Sequence, residues 1–122
     1  DACFIKKVSV NACINPMTAV HRIKNGALSA PEYQQTLGQV IAEVSLILDE
    51  LGHATIASTL EQTVQNVILD TADNTSSMLS DVLAGRRTEI ESIVGWLLDQ
   101  SKHSHPTLGA LLNRLRQISP AE

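Results

Sequence analysis

Aromatic residues and cysteines are scarce in this sequence. Phe, Tyr and Trp make up 2% of the 122 residues, so aliphatic side chains must fill the core. Strand-type runs of β-branched and aromatic residues are also scarce, whereas Leu, Ala, Gln and Glu are common, which favours helix. The two cysteines, Cys3 and Cys13, show no metal-type spacing. We interpret them as reduced core thiols of a cytoplasmic protein.

Basic stripes, long apolar runs and most nucleotide or metal motifs are missing as well. The net charge is −4, and there are almost no aromatic rings on which bases could stack, which argues against nucleic-acid binding. No apolar run reaches the roughly 18 residues that a membrane span needs. The four histidines form no metal constellation. There is no P-loop, nucleophile elbow or glycine-rich dinucleotide fingerprint.

The length and apolar content are those of one domain with one core. Apolar residues make up 43% of the chain, enough to bury a core of ordinary size. The chain starts at Asp1, and the stretch "DACFIKKVSVNACINPMTAV" already has the pattern of a helix in progress, with no start signal before it. We therefore expect the left edge to be a cut in a longer protein.

Apolar residues recur at three-and-four spacing in several stretches, which predicts a bundle of about six or seven helices. The clearest stretch covers residues 37–51 and ends at Gly52. The last helix is expected to start near Pro106, and a shorter helix over 75–84 to end at Gly85. Three capping-box patterns predict helix starts: Ser29 with Glu32 and Pro31, Ser58 with Glu61, and Thr88 with Glu91.

The first helix is apolar nearly all round, yet it carries a polar stripe. At about 100° per residue, Lys7, Asn11 and Thr18 fall within roughly 40° of each other, and Asn15 lies about 80° from Lys7. Pro16 has no N–H and should interrupt the helical hydrogen bonds there. The stripe is either a solvent face with backbone-satisfying amides, or a row of donors facing a cleft. In the second case, one lysine with asparagines suits an anionic, carbonyl-bearing ligand.

Three stretches together resemble the C-terminal domain of ketopantoate reductase (2-dehydropantoate 2-reductase). They are "KKVSVNACINPMTAV" at 6–20, "NGAL" at 25–28 and "TADNTSSMLSDVLAGRRTEIESIVG" at 71–95. Their order and separation fit as well, so the resemblance covers nearly the whole chain. The last stretch is the most specific of the three.

The resemblance implies a fold, an activity and a set of partners. Residues 1–122 would be one all-α substrate-binding and catalytic domain, with the fold of the 6-phosphogluconate dehydrogenase C-terminal domain. An N-terminal Rossmann domain, absent from this chain, would hold most of the NADPH, and no metal is expected. The protein would reduce ketopantoate to pantoate on the pathway to pantothenate and coenzyme A. The fragment alone should be inactive, because the family's cleft lies between the two domains.

The resemblance also assigns a catalytic lysine. The family's lysine lies four residues before an asparagine on the first helix, which matches Lys7 and Asn11. Lys6 is adjacent but would point about 100° away. Lys7 would act as general acid and stabilise the developing oxyanion, while Asn11 would help to bind the substrate.

Three further site residues follow from the matched motifs. Asn25 and Ser77 would bind substrate, Ser77 through the carboxylate. Glu89 would lie near Lys7 and the substrate hydroxyl as a second catalytic residue, and it is also a candidate for contact with the cofactor. Asn15 and Asn74 would be structural, fixing backbone at the Pro16 kink and at a helix start.

Two alternatives stay open. The domain could be a non-catalytic helical module that pairs with another copy of itself, as a homodimer, or with another chain. It could also belong to a related hydroxy-acid dehydrogenase that acts on another keto acid.

Overall fold

Six α-helices make up most of the computed structural model, which describes residues 1–118 and has no strand in that range. The all-α prediction is confirmed. The elements are α1 Ala2–His21, a 3-10 segment Asn25–Ser29, α2 Pro31–Glu50, α3 Ala54–Asp70, α4 Ser77–Leu83, a π-helical turn Glu91–Gly95 continuing as α5 Trp96–Gln100, and α6 Pro106–Ile118.

Helix α1 is the central element of the core. Nearly every residue between Val8 and Ala19 is buried, and α1 packs against α2, α3, α4 and α6. A helix surrounded in this way must be apolar on all sides, which explains the absence of a one-sided pattern. Pro16 lies inside the helix, which continues to His21.

The start of α1 differs from the expectation. Asp1 is the N-cap, and its Oδ1 accepts a hydrogen bond from the Phe4 N–H at 2.9 Å. The start signal that seemed to be missing is therefore Asp1 itself, because a carboxylate can satisfy the free N–H groups of the first turn.

Two of the three capping-box predictions are wrong. Helix α2 has Ala30 as its N-cap without a side-chain bond, although Pro31 takes the first turn as expected. Helix α3 starts at Ala54, so Ser58 lies inside it and donates to the Thr55 carbonyl at 2.8 Å. Serine can bond to a carbonyl three residues back, so the Ser-x-x-Glu pattern also occurs within helices.

The predicted ends of α2 and α4 are confirmed. Gly52 has a φ of 86°, and the next N–H, of His53, donates to the Leu48 carbonyl at 2.8 Å. This closes α2 with the six-to-one bond of a Schellman motif, whose left-handed position favours glycine. Gly85, with a φ of 70°, follows α4 in the same way.

The two cysteines lie in different environments. Cys13 is fully buried in α1, and burial raises the pKa of its thiol well above the usual range. Cys3 is exposed in the first turn, so the prediction that both are core thiols is wrong for Cys3. Phe4, the next residue in the first turn of α1, is also exposed.

Candidate active site

A cleft of about 280 Å³ opens between the first half of α1 and the start of the π-helical turn. Lys7 and Asn11 lie one helical turn apart on α1, so their side chains share a face. Lys6 is exposed but does not line the cleft. The lining residues are Phe4, Lys7, Val8, Asn11, Glu89, Ser92 and Ile93.

Glu89 reaches the cleft because the chain turns sharply after α4. Its carbonyl accepts from the Ile93 N–H at 3.1 Å and from the Ser92 hydroxyl at 3.0 Å. The turn continues as the π-helix Glu91–Gly95, and π-turns are frequent at functional sites. Glu89, Ser92 and Ile93 are thus presented together on the wall opposite α1.

The neighbouring glutamate is used differently. Glu91 accepts from Nε and Nη2 of Arg116 in α6 at 2.6 and 2.9 Å. This hydrogen bonding lowers the pKa of the Glu91 carboxyl and raises the pKa of the Arg116 guanidinium. Glu91 therefore ties the π-turn to α6, whereas Glu89 faces the cleft.

The polar side chains in the cleft are available to a ligand. Within residues 1–118, the side chains of Lys7, Asn11 and Glu89 make no hydrogen bond or ion pair with the protein. Phe4, together with Val8 and Ile93, adds apolar surface to the same cleft. An ammonium donates to a carbonyl oxygen or carboxylate, and an amide both donates and accepts. The arrangement suits a small amphipathic anion with a carbonyl group.

Ser77 lies in another part of the fold. It is exposed in the first turn of α4 and does not line the cleft. The preceding residue, Ser76, contacts Thr18 at 2.7 Å, whereas Glu89 lies beside Lys7. The 76–89 segment therefore runs antiparallel to α1. Lys7 and Thr18 are about 16 Å apart along the helix axis, at 1.5 Å per residue.

Asn25 is buried at the junction between the 3-10 segment and α3. Its Nδ2 donates to the Thr71 hydroxyl at 2.9 Å, which donates to the Val67 carbonyl at 2.6 Å. Its Oδ1 is buried and has no hydrogen-bond partner within residues 1–118. Its N–H donates to the Asn74 carbonyl at 3.1 Å, so Asn74 acts here through its backbone. Asn25 does not line the cleft, and its substrate role stays a prediction.

Gly26, in the Asn25-Gly26 pair, lies so close to Ala72 that there is no room for a side chain. The Gly26 N–H donates to the Ala72 carbonyl at 2.9 Å, and an added Cβ would lie only 2.8 Å from the Ala72 Cβ. The junction between the 3-10 segment and the α3–α4 connection thus excludes any side chain at this position.

The polar stripe of α1 is exposed at Lys7 but buried in its second half. Thr18 is fully buried, and Asn15 is 9% exposed. The stripe faces the cleft at Lys7 and Asn11, and it passes under α4 at Thr18. The interpretation as a cleft-facing row therefore holds for its first half alone.

Four cleft residues were not anticipated from the sequence: Phe4, Val8, Ser92 and Ile93. Helical spacing could have indicated them. Phe4 lies three residues before Lys7, Val8 lies three residues before Asn11, and the other two lie three and four residues after Glu89. The π-turn itself has no signal in the sequence pattern.

Within residues 1–118, no group of three or more His, Cys, Asp or Glu side chains could hold a metal ion. No helix in the same range has the length and apolar character needed to cross a membrane.

Comparison with known proteins decides the family. The family model described as "Ketopantoate reductase PanE/ApbA C terminal" matches residues 2–119. The chain belongs to this family. The resemblance seen in the sequence motifs is thereby confirmed.

Its relatives include named reductases from several bacteria. The chain is 39% identical to the 2-dehydropantoate 2-reductase of Yersinia pestis over 101 residues, which are 83% of this chain and 32% of that protein. It is 43% identical over 96 residues to that of Bacillus subtilis, covering 78% and 31%. The chain thus spans about a third of the length of these relatives.

A solved structure shares the fold. The crystal structure of a probable 2-dehydropantoate 2-reductase from Bacillus subtilis superposes with a TM-score of 0.82 at 37% identity, over 93% of this chain and 39% of that one. A putative 2-dehydropantoate 2-reductase from Staphylococcus aureus, with a TM-score of 0.78 at 20% identity, has the same fold.

Proposed function

We propose that the protein to which this chain belongs reduces 2-dehydropantoate (ketopantoate) to pantoate with NADPH. The observation that carries this proposal is the meeting of Lys7, Asn11 and Glu89 in one cleft. These residues come from two distant parts of a chain in the ketopantoate reductase family. The cleft's mixed apolar and polar lining is complementary to a branched keto acid.

The reaction needs a hydride at the keto carbon and a proton at the oxygen. NADPH, when bound, supplies the hydride. Lys7 hydrogen-bonds the keto oxygen, stabilises the negative charge that develops there, and transfers its proton to the resulting alkoxide. The Lys7 amine then regains a proton from water.

The other polar residues hold the substrate in place. Asn11, one turn from Lys7, orients the keto acid through its amide, and Glu89 accepts from the hydroxyl group near Lys7. Ser77 binds the carboxylate, and Asn25 orients the far polar end. Neither residue lines the cleft, so these two roles rest on the family motifs alone.

The cofactor is proposed to be held mainly elsewhere. A cleft of about 280 Å³ fits a small acid and is too small for a dinucleotide. We assign the dinucleotide to an N-terminal Rossmann domain, with Glu89 as the residue of this chain nearest to it. A cytoplasmic location and homodimerisation remain predictions.

The test compares two adjacent lysines in the protein as encoded, including any residues that precede Asp1. Oxidation of NADPH is followed with ketopantoate as substrate. Lys7→Ala should lower kcat/KM by about 10²–10⁴-fold, the usual contribution of a general acid. Lys6→Ala is the matched control and should change it by less than about twofold.

Three outcomes would contradict the proposal. Equal effects of the two lysine variants would remove Lys7 from the chemistry. NADPH oxidation with other 2-keto acids but not with ketopantoate would indicate a related hydroxy-acid dehydrogenase. No oxidation with any keto acid would favour the non-catalytic module.

A further inference from the structure

Two buried hydroxyl groups join the start of α4 to α1. Thr18 is fully buried, Ser76 is 6% exposed, and their Oγ atoms are 2.7 Å apart. The Thr18 hydroxyl also lies 3.0 Å from the Asn15 carbonyl, and either hydroxyl can donate in the shared bond. The Ser76 oxygen accepts in turn from the Leu79 N–H at 3.1 Å. The pair thus links the N-cap of α4 to the interior of α1.

The short helix α4 depends on such contacts for its position. It has seven residues, and helices of that length are not stable by themselves. Before it, the α3–α4 connection is held by Asn25 and Gly26, whose N–H groups donate to Asn74 and Ala72. The hydroxyl pair is the next attachment along the chain. Ser77 follows it directly, with its Cα about 3.8 Å from that of Ser76.

We propose that Thr18 is a positioning residue for Ser77. Acting through Ser76, it fixes the start of α4 on α1, and with it the position of Ser77, which binds the carboxylate of the keto acid in the proposed function. This inference rests on the proposed function, in which Ser77 binds that carboxylate. Thr18 is fully buried and does not touch the substrate itself.

The first variant removes the hydroxyl and keeps the shape. Thr18→Val leaves the buried Ser76 hydroxyl without its partner on α1, so the start of α4 should shift. In the protein as encoded, KM for ketopantoate should rise about tenfold, while kcat should stay within about twofold because Lys7 is not displaced. Thr18→Ser keeps the hydroxyl and should restore KM to within about twofold of the wild type.

Two more variants separate positioning from general stability. Ser9→Ala removes another fully buried hydroxyl of α1, one that bonds only to the Ile5 carbonyl of its own helix at 2.7 Å. It should leave KM unchanged. Ser76→Gly breaks the same link from the α4 side, with a residue that is tolerated as an N-cap, and should raise KM as Thr18→Val does. Ser76→Gly can also replace Thr18→Val as the test of this link if Thr18→Val does not fold.

The decisive comparison is a double-mutant cycle. If Thr18 acts through Ser77, Thr18→Val should add nothing to the KM of Ser77→Ala. Additive effects overturn the proposal, as does a fall in kcat with KM unchanged, or an equal rise in KM for Ser9→Ala. A wild-type protein that does not reduce ketopantoate overturns the proposed function and this inference together. Wild-type turnover with additive variants counts against the inference alone.

Discussion

Two polar regions of this domain contain similar residue types, but the side chains of one face a cleft and those of the other bond to the protein. One is the cleft with Lys7, Asn11 and Glu89. The other is the joint between α2 and the start of α6, which we call the α2–α6 joint and define by Glu43, Glu50, Ser101 and His105. The side chains of Lys7, Asn11 and Glu89 have no hydrogen-bond partner within residues 1–118, whereas the polar side chains at the joint bond to the protein. Partners, rather than residue type, distinguish a candidate site from a structural contact.

At the joint, two carboxylates of α2 accept hydrogen bonds from the segment that leads into α6 and from its first turn. Glu43 accepts from the N–H groups of Thr107 and Leu108 at 3.0 and 2.8 Å, as an N-cap side chain would. Glu50 accepts from the Ser101 hydroxyl at 2.7 Å and from the Lys102 N–H at 2.8 Å. Both glutamates therefore stabilise the connection between α5 and α6.

The same joint contains a serine and a histidine that resemble a catalytic pair in distance alone. The Ser101 Oγ lies 2.9 Å from Nε2 of His105. The Ser101 hydroxyl also donates to the Glu50 carboxylate at 2.7 Å, whereas its role towards the imidazole depends on the histidine tautomer. With the serine proton directed to Glu50, the arrangement favours a structural role for the pair.

The largest predicted effect concerns activity at the cleft. Asn11→Ala should lower kcat/KM for ketopantoate by about 10²-fold, because it removes a positioned hydrogen bond at the reacting end. The free energy of unfolding should change by less than about 0.5 kcal/mol, since the Asn11 side chain has no hydrogen-bond partner within residues 1–118 to lose. Steady-state kinetics and urea unfolding measure the two quantities. A loss of stability with full activity would place Asn11 among the structural residues.

At the α2–α6 joint, a substitution is expected to lower stability and leave activity nearly unchanged. Glu43→Ala should lower the free energy of unfolding by about 1–2 kcal/mol, because two N–H groups of α6 lose their acceptor. Activity should stay within about twofold. Glu61→Ala is the matched control on an exposed position of α3, expected within about 0.5 kcal/mol of the wild type. A fall in kcat/KM comparable to that of Asn11→Ala would erase the contrast between the regions.

A smaller effect should appear as pH dependence. Hydrogen bonds from Ser101 and then Lys102 lower the pKa of the Glu50 carboxyl. Its stabilising contribution is therefore complete above the unfolded pKa of roughly 4.3 and is lost as pH falls through the lower folded pKa. The Tm difference between the wild type and Glu50→Gln should be constant from about pH 5 to 8 and shrink below about pH 4. A difference that grows in acid would contradict this linkage.

The helices could be predicted from the sequence, but not all of their ends. Apolar spacing identifies α2 and α6 because it reflects burial directly, and Gly52 marks an end because its conformation favours glycine. The Ser58 box fails because the same residues also fit a helix interior. The π-turn at Glu91–Gly95 depends on tertiary contacts, including the Glu91–Arg116 pair, that no local pattern encodes.

The candidate site was predictable only where its residues are related by local helical spacing or by the family motifs. Lys7 and Asn11 share a face by helical geometry alone, and the family motifs indicate Glu89. That Asn25 is buried against Thr71 could not be anticipated, because it depends on how the 3-10 segment meets the end of α3. Local spacing relates residues within one helix, whereas this junction joins two elements distant in sequence.

The most direct test of the account is to locate the bound ligand. Pantoate is titrated into the isotope-labelled protein as encoded, with NADPH present, and amide chemical shifts are followed. The account predicts the largest ligand-dependent shifts at Lys7, Asn11, Glu89 and Ser92, with little change over residues 101–108. Largest shifts at the α2–α6 joint, with the cleft unaffected, would contradict the assignment of the cleft as the active site.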